Sequence, residues 1–132
     1  MSPRPLTALV VMASERSCDL ISCLTKVAAR VLSASSCAEA AEFLYAEPAV
    51  GIVLTDLTLP DGSWCDVMTK VLDVRPNAAV VVCSRLADER LWAEVLDAGG
   101  FDVLAEPYGE NDLELLITRA VMARPSRLAA VV

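Results

Sequence analysis

Residues 49–62, AVGIVLTDLTLPDG, restrict the fold of this 132-residue chain more than any other stretch. The unbroken apolar run 50–54 ends at a single acid, Asp56, and then breaks at Pro60-Asp61-Gly62. Runs rich in Val, Ile and Leu, of this length and bounded by turn residues, suit a strand buried on both faces of a parallel sheet. In such sheets chemistry collects just beyond the carboxyl ends of the strands, which is where Asp56 falls. The plainer alternative for Asp56 is a solvated strand-end acid or a helix cap.

The flanking sequence repeats the same alternation. Residues 6–12 read as a first strand, and Ser14 caps a helix whose stripe is Leu20, Leu24, Val27 and Ala28. A short second strand spans 31–34, and Ser36 with Glu39 has the spacing of a capping box before a helix that Glu47-Pro48 ends. Ser63 and Asp66 repeat that spacing before a third helix, stopped at Arg75-Pro76. A fourth strand at 78–83, a helix at 88–98 with a Gly99-Gly100 C-cap, and a fifth strand at 101–105 follow. The last helix starts near Asn111 and buries Leu113, Leu116, Ile117 and Val121; the tail beyond Pro125 shows no period and reads as frayed or partner-bound. Five strands alternating with five helices imply one α/β domain, a parallel sheet covered on both faces, with a core at 5–123 and a tail at 124–132.

Composition removes several functions. A net charge of −7 without a basic patch argues against nucleic-acid and anionic-membrane surfaces, and no apolar run is long enough to span a bilayer, so a cytoplasmic protein is expected. Five scattered cysteines without a C-x-x-C pair, in a chain with no His, read as small buried hydrophobes rather than disulfides or metal ligands. Neither glycine-rich phosphate cradle is present, and without His neutral-pH general-base catalysis would need a strongly shifted carboxylate or thiol. What remains is a set of strand ends: Met12-Ala13, Asp56, Ser84 and Glu106-Pro107.

In order and spacing this set resembles the receiver domain of two-component response regulators, over nearly the whole chain. TDLTLPDGS is similar to the family's phosphoacceptor segment, which places Asp56 at the acceptor position, vestigial or weak here. By the same resemblance Ser84 and Thr58 are phosphoryl-contacting, and Glu106-Pro107 falls where the family has Lys-Pro, a peptide bond commonly cis there. The implied fold is flavodoxin-like, a doubly wound five-stranded sheet of order 2-1-3-4-5.

Three positions depart from the pattern. Met12 and Ala13 replace the acidic pair that holds Mg²⁺ in the family, and Glu106 replaces its lysine. Phosphoryl transfer relies on cations and positioned donors, and the protein does little covalent chemistry beyond offering the nucleophile. Two unit charges about 4 Å apart interact by roughly 4 kcal/mol at an effective dielectric near 20, so a Lys-to-Glu exchange opposes the reaction by several kcal/mol. Arg85, beside Ser84, and Arg16, in the first strand-to-helix loop, are the cations near enough in sequence to compensate. Of the two, Arg16 reads more as a solvated surface residue. Asp56, Glu106 and Glu15 form an alternative oxygen set for a divalent cation, though not one spaced for octahedral Mg²⁺.

The preferred function is therefore a degenerate receiver that acts as a phosphorylation-independent protein-interaction module, with no cofactor and no catalytic residues of its own. The alternative is a phosphorylatable receiver that switches on modification of Asp56. An aspartyl-nucleophile phosphatase is disfavoured because its second Asp would be Thr58. Partners of the preferred kind are a histidine kinase or a downstream effector, met through Trp92 and Tyr108, and a homodimer would use the face from the fourth to the fifth helix. Trp64 is a further aromatic that could mark a partner surface, although a Trp on a helix more often covers a core edge.

Overall fold

Residues 6–27 and 30–131 are described in a computed structural model, with backbone alone for residues 124–131. The five expected strands are β1 (Thr7–Val11), β2 (Arg30–Ala34), β3 (Val50–Asp56), β6 (Ala79–Ser84) and β7 (Asp102–Ala105). All neighbours in their sheet are parallel, in the order β2-β1-β3-β6-β7. Numbered among themselves, these five give the expected 2-1-3-4-5. Between β3 and the third helix lies a hairpin that periodicity does not reveal, because β4 (Thr58–Leu59) and β5 (Gly62–Ser63) have two residues each.

Alternation within the strands divides the core in two. Ala8, Val10, Ile52, Leu54, Val81 and Cys83 face one side, where α1 (Ser14–Val27) contributes Leu20 and Leu24, and α5 (Glu110–Val131) contributes Leu113, Leu116, Ile117 and Ala120. Leu9, Val11, Val53, Val80 and Val82 face the other. There they meet α2 (Cys37–Ala46), α3 (Trp64–Val74) and α4 (Glu89–Asp97) through Leu44, Val67, Val71 and Val95, among others. Successive strand residues point to opposite faces, so a run apolar at every position needs helices on both.

Several expectations change at the helix ends. The Ser63–Asp66 capping box forms in full. At α2, Ser36 accepts from the Glu39 N–H, but the Glu39 carboxylate bonds Ser35 rather than closing a box on Ser36. Val27 and Val121, both assigned to buried stripes, are exposed, and Ala120 is buried in place of Val121. Ala28 lies outside the described residues. Helix α5 begins at Glu110 and continues past Pro125 to Val131, where irregular chain was expected. Trp64 opens α3 inside the core. The Gly99 C-cap requires its φ of 100°, and a side chain at Gly100 would press on Val95, with the Val95 carbonyl oxygen 2.8 Å from the added Cβ.

The order in which strands are laid down reverses about β1, whose neighbours are β2 and β3, so the crevice of this sheet opens at the carboxyl ends of β1 and β3. Met12, Ala13 and Asp56 stand there.

The two-sided burial of β3 makes a direct prediction. Leu54→Ala should cost about 2–5 kcal/mol in urea denaturation, by lost transfer energy and the cavity left behind. Leu86→Ala, at a side chain 79% exposed, should stay within about 0.5 kcal/mol.

Candidate functional site

Asp56 ends β3, in register with Cys83 of β6, one residue short of Ser84. Ser84 ends β6, and its carbonyl accepts from the Glu106 N–H at 2.9 Å, which ties the β6 and β7 ends together. Glu106-Pro107 is a cis peptide. Asp56, Ser84 and Glu106 therefore share one edge of the sheet, as their spacing implied.

The cation at this edge is Arg16. Its Nε donates to Asp56 Oδ2 at 2.8 Å, and its Nη2 donates both to Asp56 Oδ1 at 3.1 Å and to Glu106 Oε1 at 2.7 Å. Side-chain exposure is 30% for Arg16, 16% for Asp56 and 18% for Glu106, so the cluster is largely withdrawn from water. The Glu106 hydrogen bond, followed by Asp56, holds the guanidinium pKa above its already high ordinary value. Arg16 does not sit in a loop as expected. Helix α1 starts at Ser14, and the Arg16 and Ser17 N–H groups both bond the Ala13 carbonyl, so the first turn carries the side chain over the strand ends. Arg85, the better-placed candidate by sequence, is exposed and, among the described residues, has no ion pair or side-chain hydrogen bond. Guanidinium is suited to this role because one planar fork can serve two carboxylates at once.

The other site residues are placed as follows. Met12 is buried and Ala13 is half-buried, and neither side chain carries an oxygen that could serve as a ligand. Both Asp56 oxygens face Arg16, and among the described residues no cluster of three or more acidic or cysteine side chains has the arrangement of a metal site. This donor set does not fit a hard divalent cation, which wants several oxygen ligands. The Ser84 hydroxyl is buried and accepts from the Leu86 N–H at 3.0 Å. Thr58 is exposed on β4. Cys83 is wholly buried beside this edge, and burial pushes its thiol pKa up, with Glu106 and Asp56 adding to the rise.

Trp92 and Tyr108 line different cavities. Trp92 is half-exposed in a groove of about 330 Å³ between α4 and β7, and its Nε1 donates to Asp102 Oδ1 at 3.3 Å. Tyr108 lines a different cavity, of about 640 Å³, with Glu15, Arg16, Asp19 and Glu106 on the α1 side. Burial, followed by Cys23, Cys83, Glu106 and Asp19, raises the Tyr108 hydroxyl pKa to about 12.

Sequence reading also missed Asp61. Its carboxylate accepts from the Cys37 N–H at 2.7 Å and the Ala38 N–H at 3.0 Å, so the hairpin after Asp56 caps the first turn of α2 from another element. Those two bonds lower the Asp61 pKa. The capping potential of Asp was visible in the sequence, but the helix it serves lies 24 residues away.

These strand ends and their spacing match a known family. The response regulator receiver domain matches residues 15–118. The chain belongs to that family. Among its relatives, the chemotaxis protein CheY of Thermotoga maritima is 30% identical over 64 residues, covering 48% of this chain and 53% of CheY. The response regulator PilR of Pseudomonas aeruginosa is 33% identical over 92 residues, covering 70% of this chain. The matches span about half the length of CheY but only 20% of PilR. A receiver domain structure from Clostridium thermocellum superposes with a TM-score of 0.83 at 23% identity, covering 91% of this chain and 97% of that one. One from Methanospirillum hungatei gives 0.82 at 19% identity, covering 94% and 99%. At these identities the solved structures establish the receiver fold, and the family match establishes a receiver domain of two-component signalling.

Two predictions follow from the acidic edge of this receiver. Arg16→Ala leaves two carboxylates facing each other without their cation and should cost about 1–2 kcal/mol, as should Glu106→Lys, which sets a second cation against Arg16. A double-mutant cycle of Arg16→Ala with Glu106→Ala, followed by urea denaturation, should show positive coupling; additive effects would contradict the shared guanidinium. Asp61→Asn should lower Tm at pH 7. Because the folded-state pKa is depressed, the Asp61 contribution is present above its ordinary value of 3.8 and fades as pH falls through the lower folded value. The Tm gap between parent and variant should therefore close under acid.

Proposed function

We propose that this receiver domain works as a phosphorylation-independent protein-interaction module in a two-component pathway, and not as an enzyme or a phosphate-driven switch. The observation that carries the reading is Arg16, bonded to both oxygens of Asp56 and to Glu106. A phosphoryl group on Asp56 would bring about −1.5 to −2 further charge to an edge that already has two carboxylates and one cation. Its transfer would need an Asp56 oxygen to leave the guanidinium, with Glu106 repelling the equatorial oxygens where the resemblance expects a lysine. No oxygen-rich site beside it compensates, since Met12 and Ala13 stand at the positions of the family's acidic pair. The resemblance expects this edge to hold a metal and a phosphoryl group. Here Arg16 completes it from within the chain, linking α1, β3 and β7 in one arrangement.

Partners of this module would be other signalling proteins, a histidine kinase or a downstream effector, recognised by a surface that packing alone holds in shape. Among the described residues no helix is long and apolar enough to cross a membrane.

Acetyl phosphate with Mg²⁺ should leave the intact mass of the protein unchanged. A gain of one phosphoryl group that disappears in Asp56→Asn would restore the switching reading, which the retained Asp56 and Ser84 favour. In calorimetry with a partner isolated from the native cell, Asp56→Ala should leave affinity nearly unchanged. Trp92→Ala should weaken it by about 1 kcal/mol or more.

A further inference from the structure

We propose that the cavity between α1, the end of β6 and the segment after β7 binds a free basic amino acid, with its two cationic groups on Glu15 and Asp19 and its carboxylate on Arg85. This goes beyond the interaction-module reading and does not depend on whether Asp56 accepts phosphate.

Unpaired charge is the first argument. Glu15 and Asp19 lie four residues apart on α1, with Cys23 four further on, so one stripe of the helix lines this cavity. Among the described residues neither carboxylate has an ion pair or a side-chain hydrogen bond. Like charges at that spacing repel each other, and Arg16, between them in sequence, is held by Asp56 and Glu106. On the wall at the end of β6, Arg85 is exposed and likewise without a partner among the described residues. Because Arg16, Asp56 and Glu106 bond one another, the charges left for a ligand are two carboxylates and one guanidinium. A basic amino acid carries the opposite set, two cations and one carboxylate.

Size and surface are the second argument. The cavity holds about 640 Å³, inside the range of roughly 300–1,000 Å³ that small-molecule sites occupy. Pro107 and the half-buried Tyr108 give it an apolar wall for the methylene stem of such a ligand, and the tyrosine ring face attracts cations. The Tyr108 hydroxyl has no hydrogen-bond partner among the described residues. Burial, followed by Cys23, Cys83, Glu106 and Asp19, puts its pKa at about 12, so it stays protonated at neutral pH and can donate to the ligand. An acidic ligand would meet both free carboxylates, and a plain diamine would leave Arg85 without a counter-ion. A ligand with both kinds of charge satisfies all three groups.

The test is an amide NMR titration of the whole chain with lysine and three analogues of altered charge. Cadaverine lacks the carboxylate, Nα-acetyl-lysine lacks one cation, and glutamate reverses the net charge. Lysine should shift the signals of Glu15, Asp19, Arg85 and Tyr108 with a dissociation constant under about 1 mM, leaving the Trp92 indole in place. Cadaverine and Nα-acetyl-lysine should each bind about tenfold more weakly or worse, and glutamate should not bind. Arg85→Gln should remove the preference for lysine over cadaverine, and Asp19→Asn the preference over Nα-acetyl-lysine. Both side chains are exposed, so neither variant should alter the fold, which thermal unfolding checks.

No saturable shift with lysine, equal binding of cadaverine or Nα-acetyl-lysine to the parent chain, or shifts centred away from the cavity would overturn the proposal. So would preferences that survive in Arg85→Gln and Asp19→Asn. Binding of glutamate would assign the cavity to anions and overturn it as well.

Discussion

Three charged side chains from three elements, with one guanidinium between two carboxylates, fix the character of this receiver. Without Arg16, Asp56 and Glu106 would confront each other in a setting mostly shielded from water, where like charges are costly. With it, the carboxyl ends of β3 and β7 are tied to the first turn of α1 by hydrogen bonds of 2.7 to 3.1 Å. The pair is a substitution in charge. The lysine at the end of the fifth strand has become an acid, and a cation has entered from the first helix, so positive charge remains beside Asp56 but comes from another element.

The surroundings reinforce that arrangement. Backbone bonding of Glu106 to Ser84 sets the β7 end beside β6, and the buried Ser84 hydroxyl is turned toward the Leu86 N–H. On the far side of Asp56 the short hairpin is held to α2 through Asp61. Loops that must rearrange are usually weakly bonded. Here the loops around the acceptor position are hydrogen-bonded to neighbouring elements on both sides. That fits the proposed module, whose outer surface packing would set.

The alternation of apolar runs with capped stripes was enough to identify five strands, five helices and their parallel order. Local signals sufficed there because a strand buried on both faces cannot tolerate polar residues, and because Gly99, Pro76 and the Ser63–Asp66 box act within a few residues of themselves. The spacing of Asp56, Ser84 and Glu106-Pro107 likewise carried the family and the location of the site. Errors concentrated where a single turn of phase matters. Val121 and Ala120 differ by one position on α5, and that one position exchanges solvent for core. The continuation of α5 through Pro125 and the six-residue hairpin, with two residues in each strand, fell below what a periodic pattern can register.

By itself the sequence determined that a receiver-like sheet would carry an acid at its switch point and would lack the usual cations there. It leaned toward Arg85 where the structure has Arg16, and it could not group Trp92 with its neighbours in space. Those outcomes depend on which side chains reach one point from elements far apart in the chain, 40 residues for Arg16 and Asp56 and 90 for Arg16 and Glu106. The first turn of α1 begins early enough to aim Arg16 over the strand ends, and that set the electrostatics of the site. Tyr108 lines a cavity with residues of α1, while Trp92 lies in the groove against β7. Periodicity and propensity are properties of neighbours along the chain, whereas the pairing of charges is a property of the packed sheet edge, and only the tertiary structure decided it.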